Sequence, residues 1–146
     1  KYKWIVFTSV NGVKFFFDRM QKLSFDIRLL KNAKICAIGP ATAKELNDKG
    51  FVVDSIPEEY RAESRIDDLK DKVEAGDNIL LPRADIARKV LEEELVKLGA
   101  NVDNIHIYKT IVPQQESGEL IDLLKDKRID MITFTSSSTV KNFCKI

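Results

Sequence analysis

Residues 35–46, ICAIGPATAKEL, limit the fold of this chain more than any other stretch. A short apolar run ends at Gly39-Pro40 and a helical pattern begins immediately, which predicts a strand that enters a helix through a tight turn. The stretches Trp4–Ser9 and Met131–Ser136 have the same design. Such turns direct unpaired backbone N–H groups of the helix N-terminus towards whatever lies above the sheet. Three of them in one chain favour a ligand that carries negative charge.

Predicted strands and helices alternate along almost the whole sequence. The strands are Trp4–Thr8, Lys34–Ile38, Phe51–Ile56, Asn78–Leu81, Asn104–Tyr108 and Asp130–Thr135. The helices are Asn11–Leu23, Ala41–Lys49, Ser64–Glu74, Ile86–Leu98, Gly118–Lys127 and one that begins near Ser138. The fourth of these helices is expected to bury Ile86, Val90, Leu91, Leu95 and Leu98. This alternation predicts an α/β fold with a parallel sheet covered by helices on both faces, and ligands of such sheets bind beyond the carboxyl ends of the strands.

The composition is that of a globular domain. The 146 residues are enough for one domain, or for one domain and a piece of another. The 24 basic and 23 acidic residues are interspersed and leave a net charge of +1, which argues against a nucleic-acid partner. No apolar run approaches the length of a membrane span and no signal peptide is present, so we expect a cytoplasmic protein with no membrane partner. Cys36 and Cys144 are predicted to be buried free thiols, and with a single His they argue against a zinc site.

Two features suggest that the chain is a fragment of a longer protein. It begins at Lys1 without a Met, and it ends at Ile146 soon after a predicted helix has started. In addition, residues 7–14 (FTSVNGVK) are echoed by residues 134–141 (FTSSSTVK). One explanation of this similarity is chance, because a strand followed by a Ser or Thr helix cap is a common arrangement. The alternative, which we favour because the two segments match in register, is a duplicated domain whose second copy has only begun.

Several segments together resemble uroporphyrinogen-III synthase. They are residues 4–17 (WIVFTSVNGVKFFF), 35–46 (ICAIGPATAKEL), 50–57, 79–84 (ILLPRA), 95–100 (LVKLGA), 102–110 (VDNIHIYKT) and 131–137 (MITFTSS). The resemblance covers essentially the whole chain, and it rests on the order and spacing of these segments because no single one is diagnostic. It implies two similar α/β domains of the flavodoxin-like kind, one inserted into the other, with the active site in the cleft between them. On this pattern residues 1–111 are the nearly complete inserted domain, and residues 112–146 are a partial return into the other domain.

The resemblance also implies a reaction. Members of the family are lyases that convert the linear tetrapyrrole hydroxymethylbilane into uroporphyrinogen III, the precursor of haem, sirohaem and cobalamin. Water leaves, the last pyrrole ring is inverted, and the macrocycle closes without a cofactor or metal. The full-length protein is expected to be a monomer. The resemblance also allows handover of the substrate from another tetrapyrrole enzyme, or fusion to one such as a methyltransferase, and the sequence leaves these open. This chain lacks most of one wall of the cleft, which leaves open whether it is active by itself.

The resemblance assigns candidate site residues. Tyr108 matches the cleft tyrosine that is expected to help the hydroxyl group depart, and Thr42 matches a cleft threonine. The strand-to-helix turns add candidate carboxylate contacts at Thr8, Ser9, Gly39, Pro40, Ala41, Arg83, Ala84, Thr135, Ser136 and Ser137.

Each assignment has a structural alternative. Thr8, Ser9 and Ser136 are equally well explained as helix caps. Thr42 lies just inside its predicted helix, where a cap explains it less well, so contact with the ligand is favoured. Tyr108 has the alternative of an ordinary aromatic residue at a sheet edge, and Arg83 that of a surface charge. His106 alternates with Ile105 and Ile107, which predicts a solvent-facing position.

Other classes of protein remain as rivals. A nucleotide- or S-adenosylmethionine-binding enzyme has no GxGxxG or Walker A pattern to support it. A receiver-like module needs an acidic cluster at the strand ends, where this chain has Thr8, Gly39, Pro82 and Thr135. The alternative to the synthase is therefore a non-catalytic or regulatory α/β domain that binds a small anionic ligand.

Overall fold

The sheet is parallel throughout, as the alternating pattern predicts. The computed structural model describes residues 1–57, 67–111 and 118–144. Within these ranges the strands are β1 (Trp4–Phe7), β2 (Lys34–Ala37), β3 (Asn78–Ala84) and β4 (Asn101–Tyr108). They form a sheet in the order β2-β1-β3-β4, and every neighbouring pair is parallel. The predicted α/β class is confirmed.

Helices cover both faces of this sheet. They are α1 (Val10–Lys22), α2 (Pro40–Asp48), α3 (Asp67–Lys70) and α4 (Val90–Lys97), with a 3₁₀ helix at Ile27–Leu30. Alternate side chains of each strand point to opposite faces. Trp4 and Val6 therefore pack in one core with Leu69 of α3 and Leu95 of α4. The second core contains Ile5, Phe7, Val13 and Leu46 and lies under α1 and α2.

The predicted strand Phe51–Ile56 is reduced to one isolated bridge between Cys36 and Ser55. The Ala37 N–H donates to the Ser55 carbonyl at 3.0 Å, and the Asp54 N–H donates to the Ile35 carbonyl at 2.8 Å. However, the Ile35 N–H donates to the Asp54 carboxylate at 2.7 Å. Because a side chain has taken the place of a backbone acceptor, the ladder does not extend.

The predicted helix Ile86–Leu98 begins four residues late, at Val90. Ile86 is 69% exposed and Val90 57% exposed, so their predicted burial is wrong, whereas Leu95 is fully buried. The reason lies upstream, because β3 continues through Pro82 to Ala84. The Arg83 guanidinium then takes the carbonyl of Arg88, and the intervening residues form a loop.

The chain divides into two compact units, Lys1–Thr110 and Ile111–Ile146. The sequence placed a domain boundary one residue later, and the assignment of these units to the two domains of a synthase stays a prediction. Of the predicted helix Ser64–Glu74, the structure describes only the part from residue 67, where α3 ends at Lys70.

The second unit contains α5 (Gly118–Lys125) and α6 (Ser137–Phe143). No strand forms at the predicted position Asp130–Thr135, because the described part of this unit offers no neighbouring strand for pairing. Cys36 is fully buried, as predicted, but Cys144 is exposed, so its predicted burial is wrong. In the described ranges, no helix has both the length and the apolar character needed to cross a bilayer.

Candidate functional site

The predicted site residues of the first unit lie at one edge of the sheet. Thr8 and Ser9 follow β1, Gly39 follows β2, Arg83 lies near the end of β3, and Tyr108 ends β4. Because all four strands are parallel, these positions share the carboxyl edge. The chain leaves β1 towards β2 through α1, but it leaves β3 towards β4 through α4. The neighbouring strands β1 and β3 therefore form a topological switch point, where open α/β sheets bind ligands.

Ser9 connects the start of α1 to the end of β4. Its backbone is extended (φ −161°, ψ 153°), and its Oγ accepts a hydrogen bond from the Gly12 N–H at 3.0 Å. The same Oγ lies 3.0 Å from the hydroxyl oxygen of Tyr108. The interpretation of Ser9 as a helix cap is confirmed, and the sequence did not reveal its second contact.

Gly12 leaves the space in which the Ser9 hydroxyl lies. A Cβ atom at this position would be 3.2 Å from Ser9 Oγ and 3.3 Å from the Pro82 carbonyl oxygen. Both distances are shorter than ordinary van der Waals contact, so this helix position favours glycine. Sequence reasoning missed Gly12 because its constraint comes from β3, about seventy residues away along the chain.

Tyr108 is partly buried, and its ring is held on one side by Phe15 of α1. The two ring centroids are 5.0 Å apart with an interplanar angle of 21°, and Phe15 remains 46% exposed. In β4, Arg83 pairs with His106 whereas Ala84 pairs with Tyr108, so the register shifts at this point. Such a bulge changes the direction in which a side chain points. His106 is exposed, as predicted.

Arg83 is not the surface charge that one interpretation allowed, because only 5% of it is exposed. Its Nη2 donates to the Arg88 carbonyl, but its Nε and Nη1 have no partner among the described residues. Burial lowers the pKa of the guanidinium, and the nearby Glu92 and Tyr108 act in the opposite direction. Arginine nevertheless stays charged, so this is a buried cation with two unused donors. Such a group favours an anion close by.

The turn after β2 has the predicted form. Gly39 caps α2 at φ 87°, a conformation that favours glycine, and no side chain caps the helix. Pro40 occupies the first helical position, and both Pro40 and Ala41 are exposed. Thr42 is only 4% exposed. Its predicted contact with a ligand stays a prediction.

The remaining candidates lie in the second unit. Thr135, Ser136 and Ser137 are exposed. Ser136 caps α6, since its Oγ accepts from the Thr139 N–H at 3.3 Å. Its cap interpretation is confirmed, and its predicted contact with a ligand is not tested. Across both described units, no group of three or more His, Cys, Asp and Glu side chains is placed to hold a metal ion.

The fold and the carboxyl edge define a doubly wound parallel α/β protein with a candidate anion site at its switch point. The family model described as uroporphyrinogen-III synthase HemD matches residues 1–146. This chain belongs to the uroporphyrinogen-III synthase family, which confirms the resemblance drawn from the sequence.

Individual relatives agree with the family. A protein of Methanothermobacter thermautotrophicus, provisionally named a uroporphyrinogen-III synthase, is 38% identical over 144 residues, covering 97% of this chain and 56% of the relative. The uroporphyrinogen-III synthase of Synechococcus elongatus is 31% identical over 149 residues, covering 99% of this chain and 54% of that protein. The chain therefore spans a little over half the length of these relatives.

A solved structure supports the fold. The crystal structure of uroporphyrinogen-III synthase from the extremely thermophilic bacterium Thermus thermophilus superposes with a TM-score of 0.63 at 19% identity. The superposition covers 96% of this chain and 54% of that chain. At this identity the similarity establishes the architecture of the chain and not its chemistry.

Proposed function

We propose that the full-length protein carrying this chain is a uroporphyrinogen-III synthase, a lyase of tetrapyrrole biosynthesis. It cyclises hydroxymethylbilane to uroporphyrinogen III with loss of water and inversion of ring D. The family match along the entire chain carries this proposal. The candidate site supports it, because a catalyst of this reaction must mainly fold and orient a flexible, carboxylate-rich substrate.

Carboxylate recognition is assigned to Arg83 and to the helix N-termini at the carboxyl edge. The substrate bears carboxylates on every pyrrole ring, and the Nε and Nη1 donors of Arg83 have no partner among the described residues. The backbone N–H groups of Gly39, Ala41 and Thr42 at the start of α2 suit a second carboxylate, whereas Pro40 has no N–H to donate. Thr8 and Ala84 flank the switch point, and Thr135–Ser137 are candidates in the second unit.

Tyr108 is proposed as the residue that assists the departure of the hydroxyl group. In this step the C–O bond of the hydroxymethyl group breaks, and its electron pair leaves with the oxygen. The phenol O–H of Tyr108 hydrogen-bonds to that oxygen and transfers its proton to it, so that water is released. The pyrrole nitrogen provides the electron pair, and the proton that this nitrogen then loses restores the phenol of Tyr108.

The experiment is an isomer assay on the full-length protein. Freshly generated hydroxymethylbilane is added, the products are oxidised, and the type I and type III isomers are separated by chromatography. Type III above the spontaneous type I background supports the synthase, and protein denatured before the assay is the control. Type I alone from a folded protein overturns the proposal. It then favours the alternative, a non-catalytic α/β domain that binds a small anionic ligand.

A further inference from the structure

We propose that Ser9 and Phe15 are positioning residues for Tyr108, an inference that rests on the proposed function. They restrain different degrees of freedom of the same side chain. Ser9 Oγ lies 3.0 Å from the Tyr108 hydroxyl, and the Phe15 ring is stacked on the Tyr108 ring at 5.0 Å. The hydrogen bond fixes the polar tip of Tyr108, while the stacking contact fixes the plane of its ring.

The geometry of the sheet shows where Tyr108 is held. In the order β2-β1-β3-β4, Ser9 follows β1 and Tyr108 ends β4, so β3 lies between them. Strands that are two apart are separated by about 9.6 Å. The Tyr108 side chain therefore reaches across the carboxyl end of β3, next to Arg83, to contact Ser9. Its hydroxyl is thereby placed at the switch point, where the substrate is proposed to bind.

The hydroxyl groups have the capacity for a directed chain of hydrogen bonds. Ser9 Oγ accepts from the Gly12 N–H and retains one O–H donor. In the proposed arrangement this O–H donates to the Tyr108 oxygen, and the Tyr108 O–H is left to donate to the departing hydroxyl. The donors are, in order, Gly12 N–H, Ser9 O–H and Tyr108 O–H, and the substrate oxygen is the final acceptor.

Phe15 is unlike the other aromatic residues of α1. Phe16 and Phe17 pack against Phe7 in the core, whereas Phe15 contacts Tyr108 and is 46% exposed. An exposed phenylalanine adds little to core packing, but stacking restricts the motion of the tyrosine. Its position indicates that its main effect is on Tyr108.

The test compares matched variants of the full-length protein. Ser9→Gly removes the hydroxyl but keeps a residue that helix caps favour, and Ser9→Thr restores the oxygen. Phe15→Leu removes the ring, and Phe15→Tyr restores it. Phe25→Leu is the control, because Phe25 is a similarly exposed phenylalanine in the loop after α1.

Two readouts are needed for each variant. The first is the ring-flip rate of Tyr108, from fluorine NMR of protein labelled with 3-fluorotyrosine, in which the signal is identified by its loss in Tyr108→Phe. The second is steady-state kinetics of type III formation. We expect Ser9→Gly and Phe15→Leu to raise the flip rate and to lower kcat about tenfold, with KM changed less than about twofold. The restoring variants should recover both quantities, and Phe25→Leu should alter neither.

The proposal is overturned if Ser9→Gly and Phe15→Leu leave the flip rate and kcat at wild-type values. It is also overturned if Ser9→Thr and Phe15→Tyr fail to recover what the first variants lose. The fluorine measurement does not depend on catalysis. If the wild-type protein yields only the type I isomer, the proposed function fails, and the spectra alone then decide whether Ser9 and Phe15 hold Tyr108.

Discussion

Replacing Gly12 by alanine tests the packing at the start of α1. A Cβ at this position would lie 3.2 Å from Ser9 Oγ and 3.3 Å from the Pro82 carbonyl oxygen. The Pro82 carbonyl belongs to the backbone of β3 and cannot move freely, so the Ser9 hydroxyl must move instead. Ser9 would then lose its cap bond to the Gly12 N–H and its contact with Tyr108.

The expected magnitude follows from opposing contributions. Alanine gains at most about 1 kcal/mol over glycine within a helix. Loss of the cap costs about 1 kcal/mol, and loss of the second hydrogen bond costs about 1 kcal/mol more. We therefore expect Gly12→Ala to lower the free energy of unfolding by about 1 kcal/mol, despite the higher helix propensity of alanine.

Urea unfolding of the chain, followed by Trp4 fluorescence, measures this effect. Trp4 is the single tryptophan of the chain and is 1% exposed in the first unit, so its emission reports on that unit. Gly118→Ala is the matched control, because a Cβ there has no atom within 4 Å. It should leave the Trp4 transition unchanged. A Gly12→Ala protein as stable as the wild type, or more stable, would refute the reasoning.

Three further changes have defined outcomes. Arg83→Met removes a buried cation with unpaired donors, so stability to urea should be unchanged or higher while KM for the bilane rises about tenfold; an unchanged KM would contradict this. Tyr108→Phe should lower kcat at constant KM and cost only about 1 kcal/mol in urea unfolding; an unaltered kcat would contradict its proposed catalytic role. Burial tends to raise the pKa of Asp77, but hydrogen bonds from the Glu74 N–H and the Lys3 ammonium group lower it overall. Asp77 therefore adds to the free energy of unfolding at pH values above its unfolded pKa of about 3.9. This stabilisation is lost as the pH falls through the lower pKa that Asp77 has in the folded protein. Asp77→Asn should lower the free energy of unfolding in urea by about 1 kcal/mol at neutral pH, and this difference from the wild type should disappear in acid. A difference that stays constant with pH would contradict this.

The sheet and its carboxyl edge could be predicted from sequence because their signals are local. Strand β2 and helix α2 are contained in one short stretch of sequence, and Gly39-Pro40 marks the turn between them. The start of α4 could not be predicted in this way. The apolar spacing of Ile86 and Val90 fits a helix, but the guanidinium of Arg83 takes the Arg88 carbonyl that a regular helix would use.

The failed strand at Asp130–Thr135 has a different cause. An apolar run with β-favouring residues indicates only that the segment can pair with another strand. It becomes a strand when such a neighbour lies beside it. The contacts around Tyr108 could not be predicted from the sequence for a related reason. Ser9 and Tyr108 are 99 positions apart in the sequence, and no periodicity within either segment connects them.

The role of Ser9 as a helix cap leaves room for the proposed functional role. A hydroxyl oxygen has two acceptor positions and one donor, and the cap bond to the Gly12 N–H uses only one acceptor. The remaining capacity is directed at Tyr108, so the interaction that begins α1 also fixes the tyrosine at the switch point. A cap in this position has a fixed oxygen at no additional conformational cost, because the helix has already ordered it.

The same reasoning predicts that Ser9→Asp, which keeps the cap acceptor but cannot donate a hydrogen bond when ionised, should retain the stability of α1 and still lower kcat. Urea unfolding and type III formation measured on that one variant would separate the two roles, and a wild-type kcat would show that the donor is not needed.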